Sequence, residues 1–108
     1  MTGYHRYKLC IEACLTCASL CQYCATSSLK EERAVMADCI KLQMECAAIC
    51  YATAQLMSLD SSRVTEMARI CAAVCDACAE ECAKHSPDHC IECADACVEC
   101  ADACELLM

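Results

Sequence analysis

Apolar positions along this chain recur at steps of three, four and seven residues, in four stretches divided by short polar breaks. Cys marks the repeat most strictly. It stands at Cys10, Cys14, Cys17, Cys21 and Cys24; at Cys39, Cys46 and Cys50; at Cys71, Cys75, Cys78 and Cys82; and at Cys90, Cys93, Cys97, Cys100 and Cys104. Such steps keep side chains on one face of an α-helix, which repeats every 3.6 residues. Sustained period-two alternation is missing and β-branched residues are few, so strands are not expected. The pattern predicts helices over 4–26, 29–58, 62–85 and 87–107.

The breaks carry their own signals. Ser28-Leu29-Lys30-Glu31 reads as a capping box opening the second helix. Asp60-Ser61-Ser62 offers caps for the third, and Ser86-Pro87 an N-cap and an N1 proline for the fourth. Short connections make consecutive helices antiparallel neighbours. The expected fold is all-α: a single domain over 1–108, an antiparallel up-down-up-down four-helix bundle with a Cys-lined core. Each helix is roughly 30–45 Å long at the usual rise per residue.

On the first helix, Leu9, Ala13 and Leu20 flank the Cys stripe on one side and Ile11 and Leu15 on the other, while Glu12, Thr16, Ser19 and Tyr23 point away. On the second, Gln43 and Thr53 stand in line with Cys39, Cys46 and Cys50 and interrupt the stripe. Ile40, Met44 and Tyr51 form another apolar stripe there. It reads either as ordinary exposed apolar surface or as a subunit contact.

Composition sharpens the picture. The chain has 108 residues, of which 17 are Cys, with one Gly, one Pro and no Phe or Trp. Ala is abundant, which favours helix, and reduced Cys can fill a core as a small hydrophobe. The net charge of −8 leaves no basic patch for a nucleic-acid partner. No secretory pattern and no uncharged apolar run long enough for a bilayer is visible, so a cytoplasmic protein without a membrane partner is expected. Thiols stay reduced in that compartment, and an odd Cys count argues against a closed disulfide framework.

Leu or Ala would pack these faces without the oxidation risk of Cys, so packing alone does not explain the stripe. Thiolates are soft ligands that select Cu(I), Zn(II) or iron–sulfur chemistry. Four Zn(II) on sixteen thiolates would leave a buried charge of about −8, a costly arrangement, whereas monovalent Cu(I) in similar number to the thiolates brings the core near neutrality. Zinc sites also want four ligands converging on one point. Iron–sulfur clusters take four thiolates as well, but no Cys-Pro follows a run and the loops that wrap such clusters are missing. The alternatives to a Cu(I) store are an iron–sulfur electron-transfer protein and a metallothionein-like Zn(II) buffer. No triad, phosphate loop or paired acid–base site suggests an enzyme.

The runs Cys10-x-x-x-Cys14-x-x-Cys17-x-x-x-Cys21-x-x-Cys24 and Cys71-x-x-x-Cys75-x-x-Cys78-x-x-x-Cys82, with the closing run Cys90 to Cys104, resemble the cytosolic copper storage proteins over nearly the whole chain. The resemblance implies Cu(I) ions lined up on Cys thiolates inside each bundle, with His or Met assisting at an end. It also implies a homotetramer of bundles.

Antiparallel topology should bring Cys24, Met36, Cys39, Cys82, His85, His89 and Cys90 to one end. There His85 and His89 are either surface histidines beside a turn or acceptors that pass Cu(I) inward. Met57, Met67 and Met108, with His5 nearby, should gather at the other end, as a hydrophobic plug or as further ligands.

Overall fold

A computed structural model describes residues 2–108 and contains helices and no strand among them. Four long helices form the bundle: α2 (Lys8–Ser28), α3 (Arg33–Ser58), α4 (Val64–Cys82) and α5 (Asp88–Glu105). A short helix, α1 (Gly3–Arg6), precedes them. Each long helix packs along its length on two others in the cyclic order α2, α3, α4, α5, and diagonal helices meet through side chains on the axis, as at Cys50 and Cys100. The body is a rod of 47 × 19 × 18 Å.

The narrow section follows from the residues at the seam. All seventeen Cys are buried, and Ala18, Ala47, Ala54, Ala68, Ala72, Ala96 and Ala101 are buried between or beside them. Small side chains let the helix axes approach closely while still filling the interior to normal density. Larger side chains close one end. Ile11, Met57 and Val64 are buried there, where α2 and α4 begin and α3 and α5 finish. On α2 the outward set Glu12, Thr16, Ser19 and Tyr23 is exposed as expected. Of the flanking residues Ile11 is buried and Leu20 half-buried, but Leu9 and Leu15 face outward.

The helix limits depart from the sequence pattern at the connections. Ser28 does not open the second helix. It is the last residue of α2 and is fully buried, its Oγ 4.0 Å from Cys24 Sγ, one turn before it on the same inward face. The turn is instead made by backbone bonds from Leu29, Lys30 and Glu31 to Thr26, Ser27 and Ser28. The α3 helix starts at Arg33 behind Glu32, with no side-chain cap. Pro87 sits at the N-cap of α5 rather than its first turn, its extended ψ of 144° placing its carbonyl to accept from Cys90. Asp88 then occupies the first turn, where a carboxylate suits the helix dipole. The third predicted helix is shorter than its pattern: α4 begins at Val64 and ends at Cys82.

The chain bends at Tyr7, which separates α1 from α2 and lets α1 lie against α2 and α3. That approach needs a glycine. A Cβ on Gly3 would run into the Met57 carbonyl oxygen and the Asp60 backbone nitrogen. Asp60 itself takes a φ of 54°, the left-handed turn that stops α3.

By length and composition α2 could cross a membrane, with 21 residues and a mean hydropathy of 1.3. The sequence pattern did not anticipate this, because Glu12 breaks the apolar run. Within the fold, the Cys face of α2 is core and its opposite face carries exposed Glu12, Thr16, Ser19 and Gln22.

A core of neutral thiols and Ala is already packed without any ion. The fully reduced, metal-free protein is therefore expected to give a strongly helical far-ultraviolet circular dichroism spectrum and to melt cooperatively. A random-coil spectrum would mean that metal, not packing, folds the chain.

Candidate metal centre

The helical repeat places every Cys side chain on the bundle axis, and antiparallel packing interleaves the four rows. Sulfurs on different helices come within 3.6 Å at Cys93–Cys21 and Cys100–Cys14. Others lie 3.7 Å apart at Cys17–Cys97, Cys46–Cys75 and Cys50–Cys75. None of the seventeen is in a disulfide.

Four groups of four sulfurs lie with their Sγ atoms within 4.8 Å of one another: Cys14, Cys71, Cys100 and Cys104; Cys17, Cys50, Cys75 and Cys100; Cys17, Cys21, Cys46 and Cys97; and Cys21, Cys78, Cys93 and Cys97. These tetrads are not separate. Cys17, Cys21, Cys97 and Cys100 each serve two of them, so the groups form one chain along the axis. Sharing corners favours an ion that accepts bridging thiolates. Discrete tetrahedral sites would each claim four sulfurs of their own. Cys10 extends the row at the closed end, 3.7 Å from Cys104.

Such a row cannot be fully ionised while it is dry, because burial opposes charge on every thiol. Burial, then the charge of Cys82, pushes the Cys39 thiol up, and burial does the same to Cys90. Elsewhere neighbours share protons. Cys10 is lowered to about 4, chiefly by the hydrogen bond with Cys104, and Cys104 is raised chiefly by the same bond. Cys100 is lowered to about 6 by Cys104 and then Cys14. Bonded neighbours thus shift in opposite directions, while burial keeps the row protonated as a whole.

The open end gathers a smaller group. His89 Nδ1 lies 3.1 Å from Cys24 Sγ and 3.6 Å from Cys90 Sγ, and these three residues form a fifth cluster. The other ring nitrogen, Nε2, is 3.1 Å from Glu31 Oε1. A carboxylate only accepts, so Nε2 carries the hydrogen, and in the neutral ring the Nδ1 lone pair faces the sulfurs. His85 does not reach a sulfur. Its Nε2 donates to Glu81 Oε2 at 2.9 Å, one turn earlier on the chain, and this bond is the main reason the Glu81 carboxyl is held below its ordinary range. Met36 is buried and lines a shallow cleft with His85 and Pro87. His85, His89 and Met36 thus lie at one end with Cys24, Cys39, Cys82 and Cys90, and of the two histidines His89 is the one within hydrogen-bond distance of sulfur.

Two contacts here were not read from the spacing. Glu31 reaches His89 across the connection between distant segments, which no local spacing announces. Gln43, expected as a gap in the stripe, is fully buried with its Nε2 against the sulfurs of Cys24, Cys39 and Cys82. Thr53, the other gap, is buried too and returns its hydroxyl to the Ile49 carbonyl at 2.7 Å.

At the closed end Met57 is fully buried, Met67 half-buried and Met108 exposed, while His5 is exposed and bonded to Thr2. The fit of Met57 is that of a plug. All the acidic side chains except half-buried Glu81 are exposed, so the negative charge surrounds a core with no charged residue in it.

Comparison with known proteins agrees with this geometry. The family model of Csp, copper storage protein, matches residues 4–108. A cysteine-rich protein of Bacillus subtilis (strain 168), YhjQ, is 44% identical over 88 residues, covering 81% of this chain and 82% of its own. Among solved structures, the Cu(I)-bound copper storage protein BsCsp3 superposes with a TM-score of 0.89 at 42% identity, over 93% of this chain and 95% of its own. A cytosolic copper storage protein from Streptomyces lividans, with five coppers, gives 0.91 at 38% identity over 97% and 93%. With its corner-sharing thiols inside a four-helix rod and a match over residues 4–108, the chain belongs to the copper storage protein family.

Proposed function

We propose that this protein is a cytosolic Cu(I) store that holds many ions on the Cys thiolates along the bundle axis, and that it sequesters copper rather than catalysing a reaction. The single observation that carries this reading is the chain of four tetrads sharing Cys17, Cys21, Cys97 and Cys100. Each Cu(I) that replaces a thiol proton leaves the core neutral, so filling can continue along the row without accumulating buried charge. A divalent ion at each tetrad would leave excess negative charge on shared thiolates. The ligands are the seventeen Cys, with His89 assisting at the mouth and His85 and Met36 beside it. Relatives described as Cu(I)-bound and as cytosolic support the metal and the compartment.

In this reading Cu(I) arrives at the end bearing His89. Neutral imidazole holds the ion more weakly than thiolate, so Nδ1 can take it and surrender it to Cys24 or Cys90. Glu31 keeps the ring turned for that task. The opposite end is packed with Met57, Ile11 and Val64 and, among the described residues, offers no imidazole to a sulfur, although Cys10 there borders a surface cavity with Leu9, Leu106 and Leu107. By resemblance the bundles assemble as a homotetramer. Exposed Met44 and half-buried Ile40 edge a groove between α2 and α3, and with exposed Tyr51, which bonds Gln22 of that groove, they offer a contact face.

Under strict anaerobiosis, titration followed by elemental analysis should reach roughly 17 Cu(I) per chain, with a few more or fewer for the His and Met ligands. Zn(II) should saturate near four. A Cu(I) endpoint below about eight would contradict the continuous row.

Loading should release protons, because the raised thiols, Cys39 and Cys90 among them, must lose theirs to bind. A weakly buffered titration read with a pH indicator checks this. No proton release would mean that sulfur is not the ligand or that the thiolates were preformed.

His89→Ala should slow both loading and removal by a chelator about tenfold with capacity nearly unchanged. His85→Ala should have a smaller effect, since its ring is engaged with Glu81, and Met57→Leu should leave both rates close to wild type. Control of the rates by Met57 would place the mouth at the opposite end.

A further inference from the structure

Gln43 has no role in the storage reading given above, yet it sits in the row. Its steps to Cys39 and Cys46 are four and three, the same spacing that carries Cys along α2, so a Cys there would continue the stripe. The side chain is fully buried. Nε2 stands 2.7 Å from Cys24 Sγ, 3.2 Å from Cys39 Sγ and 3.3 Å from Cys82 Sγ. Among the described residues Oε1 has no hydrogen-bond partner. An amide left half-satisfied in a core is destabilising, and an apolar side chain of the same size would avoid that cost.

The sulfur row loosens at this residue. Contacts of 3.6 to 4.0 Å lead from Cys93 through Cys21, Cys17, Cys46, Cys50 and Cys100 to Cys14. Towards the mouth, Cys24 meets Cys90 at 3.8 Å and Cys39 meets Cys82 at 3.7 Å. Cys24 and Cys82 neighbour the inner sulfurs of Cys93 and Cys78, but among the described residues no sulfur hydrogen-bond contact of 4.0 Å or less crosses from the outer pairs to the inner row, and the cluster of Cys24, His89 and Cys90 shares no member with the four tetrads. The Gln43 amide is the group that touches both outer pairs.

We propose that Gln43 divides the row into a large inner store and a small outer exchange site for Cu(I), made of Cys24, Cys39, Cys82 and Cys90 with His89. The amide N–H groups draw electron density from the outer thiolates, which therefore hold the ion less firmly than inner thiolates that lack such donors. An ion moving inward exchanges one S–Cu bond for another with no change of oxidation state. The outer site is thus the labile end of the path, and the inner row the durable one. Gln43 is a positioning residue: it acts through the sulfurs.

The inference rests on Cu(I) storage, and one experiment separates the two. The loaded full-length protein is mixed with excess Cu(I) chelator under nitrogen and release is followed by absorbance. Wild type should show a minor fast phase from the outer site and a major slow phase. Gln43→Cys should merge the phases into the slow one and raise capacity by about one ion. Gln43→Leu, close in size but without N–H donors, should keep capacity and slow the fast phase by about tenfold, the loss expected for hydrogen bonds to charged sulfur. Circular dichroism of each metal-free variant shows whether it folds, and Gln43→Met substitutes for a variant that does not. Single-phase release from wild type overturns the partition, as does a fast phase with unchanged rate and amplitude in every folded variant. A protein that takes up few Cu(I) ions would instead overturn the storage reading itself.

Discussion

Seventeen thiols buried in a dry core can be neutral or metal-bound, but not ionised together. That constraint governs the rest of the molecule. It makes the empty bundle a protonated one, held by weak S–H···S contacts and by the packing of Cys as a small hydrophobe. It also makes a monovalent soft ion the natural replacement for each proton, since the exchange leaves the local charge unchanged. The tetrads are then less a set of sites than a continuous medium in which any ion finds sulfur in several directions.

The scaffold answers to the same requirement. Sulfurs on opposite helices must come within reach of one ion, so the bundle has to be thin, and Ala between the Cys positions permits the close approach. A thin bundle buries little large apolar surface. The bulky residues that remain are used at the end far from His89, where Ile11, Met57 and Val64 are buried around the foot of the row. The short helix α1 packs over that same end through Gly3, whose missing Cβ lets it rest on the last turn of α3. Rigidity at one end and polar residues at the other give the store a direction.

Most of this was legible from the sequence, because Cys occupies the seam and its spacing therefore reports the helix, the face and the chemistry at once. The helices, the antiparallel order and the inward position of Gln43 and Thr53 all follow from steps of three and four. Local chemistry at the connections was less legible. Ser28 and Glu31 have the spacing of a capping box, but the inward face of α2 runs one turn past Cys24 and takes Ser28 with it. Glu31, freed from capping, turns to His89. The likeness of His85 and His89 in the sequence also concealed a difference. Glu81 lies one turn before His85 on the same strip of chain and engages its ring, whereas the start of α5 aims His89 into the sulfurs. Such choices depend on which segment lies across the gap, and no periodicity encodes that.

The acidic residues lie outside and the sulfurs inside, with nothing charged between them. Exchange of protons for Cu(I) in the interior leaves the net charge of −8 and its distribution untouched. A full bundle and an empty one then present the same electrostatic face to the solution. Colloidal behaviour and long-range attraction to other macromolecules do not register the cargo. With Cu(I) passing at the His89 end, as proposed, information about how much metal is inside reaches another molecule there, by what that end yields or refuses.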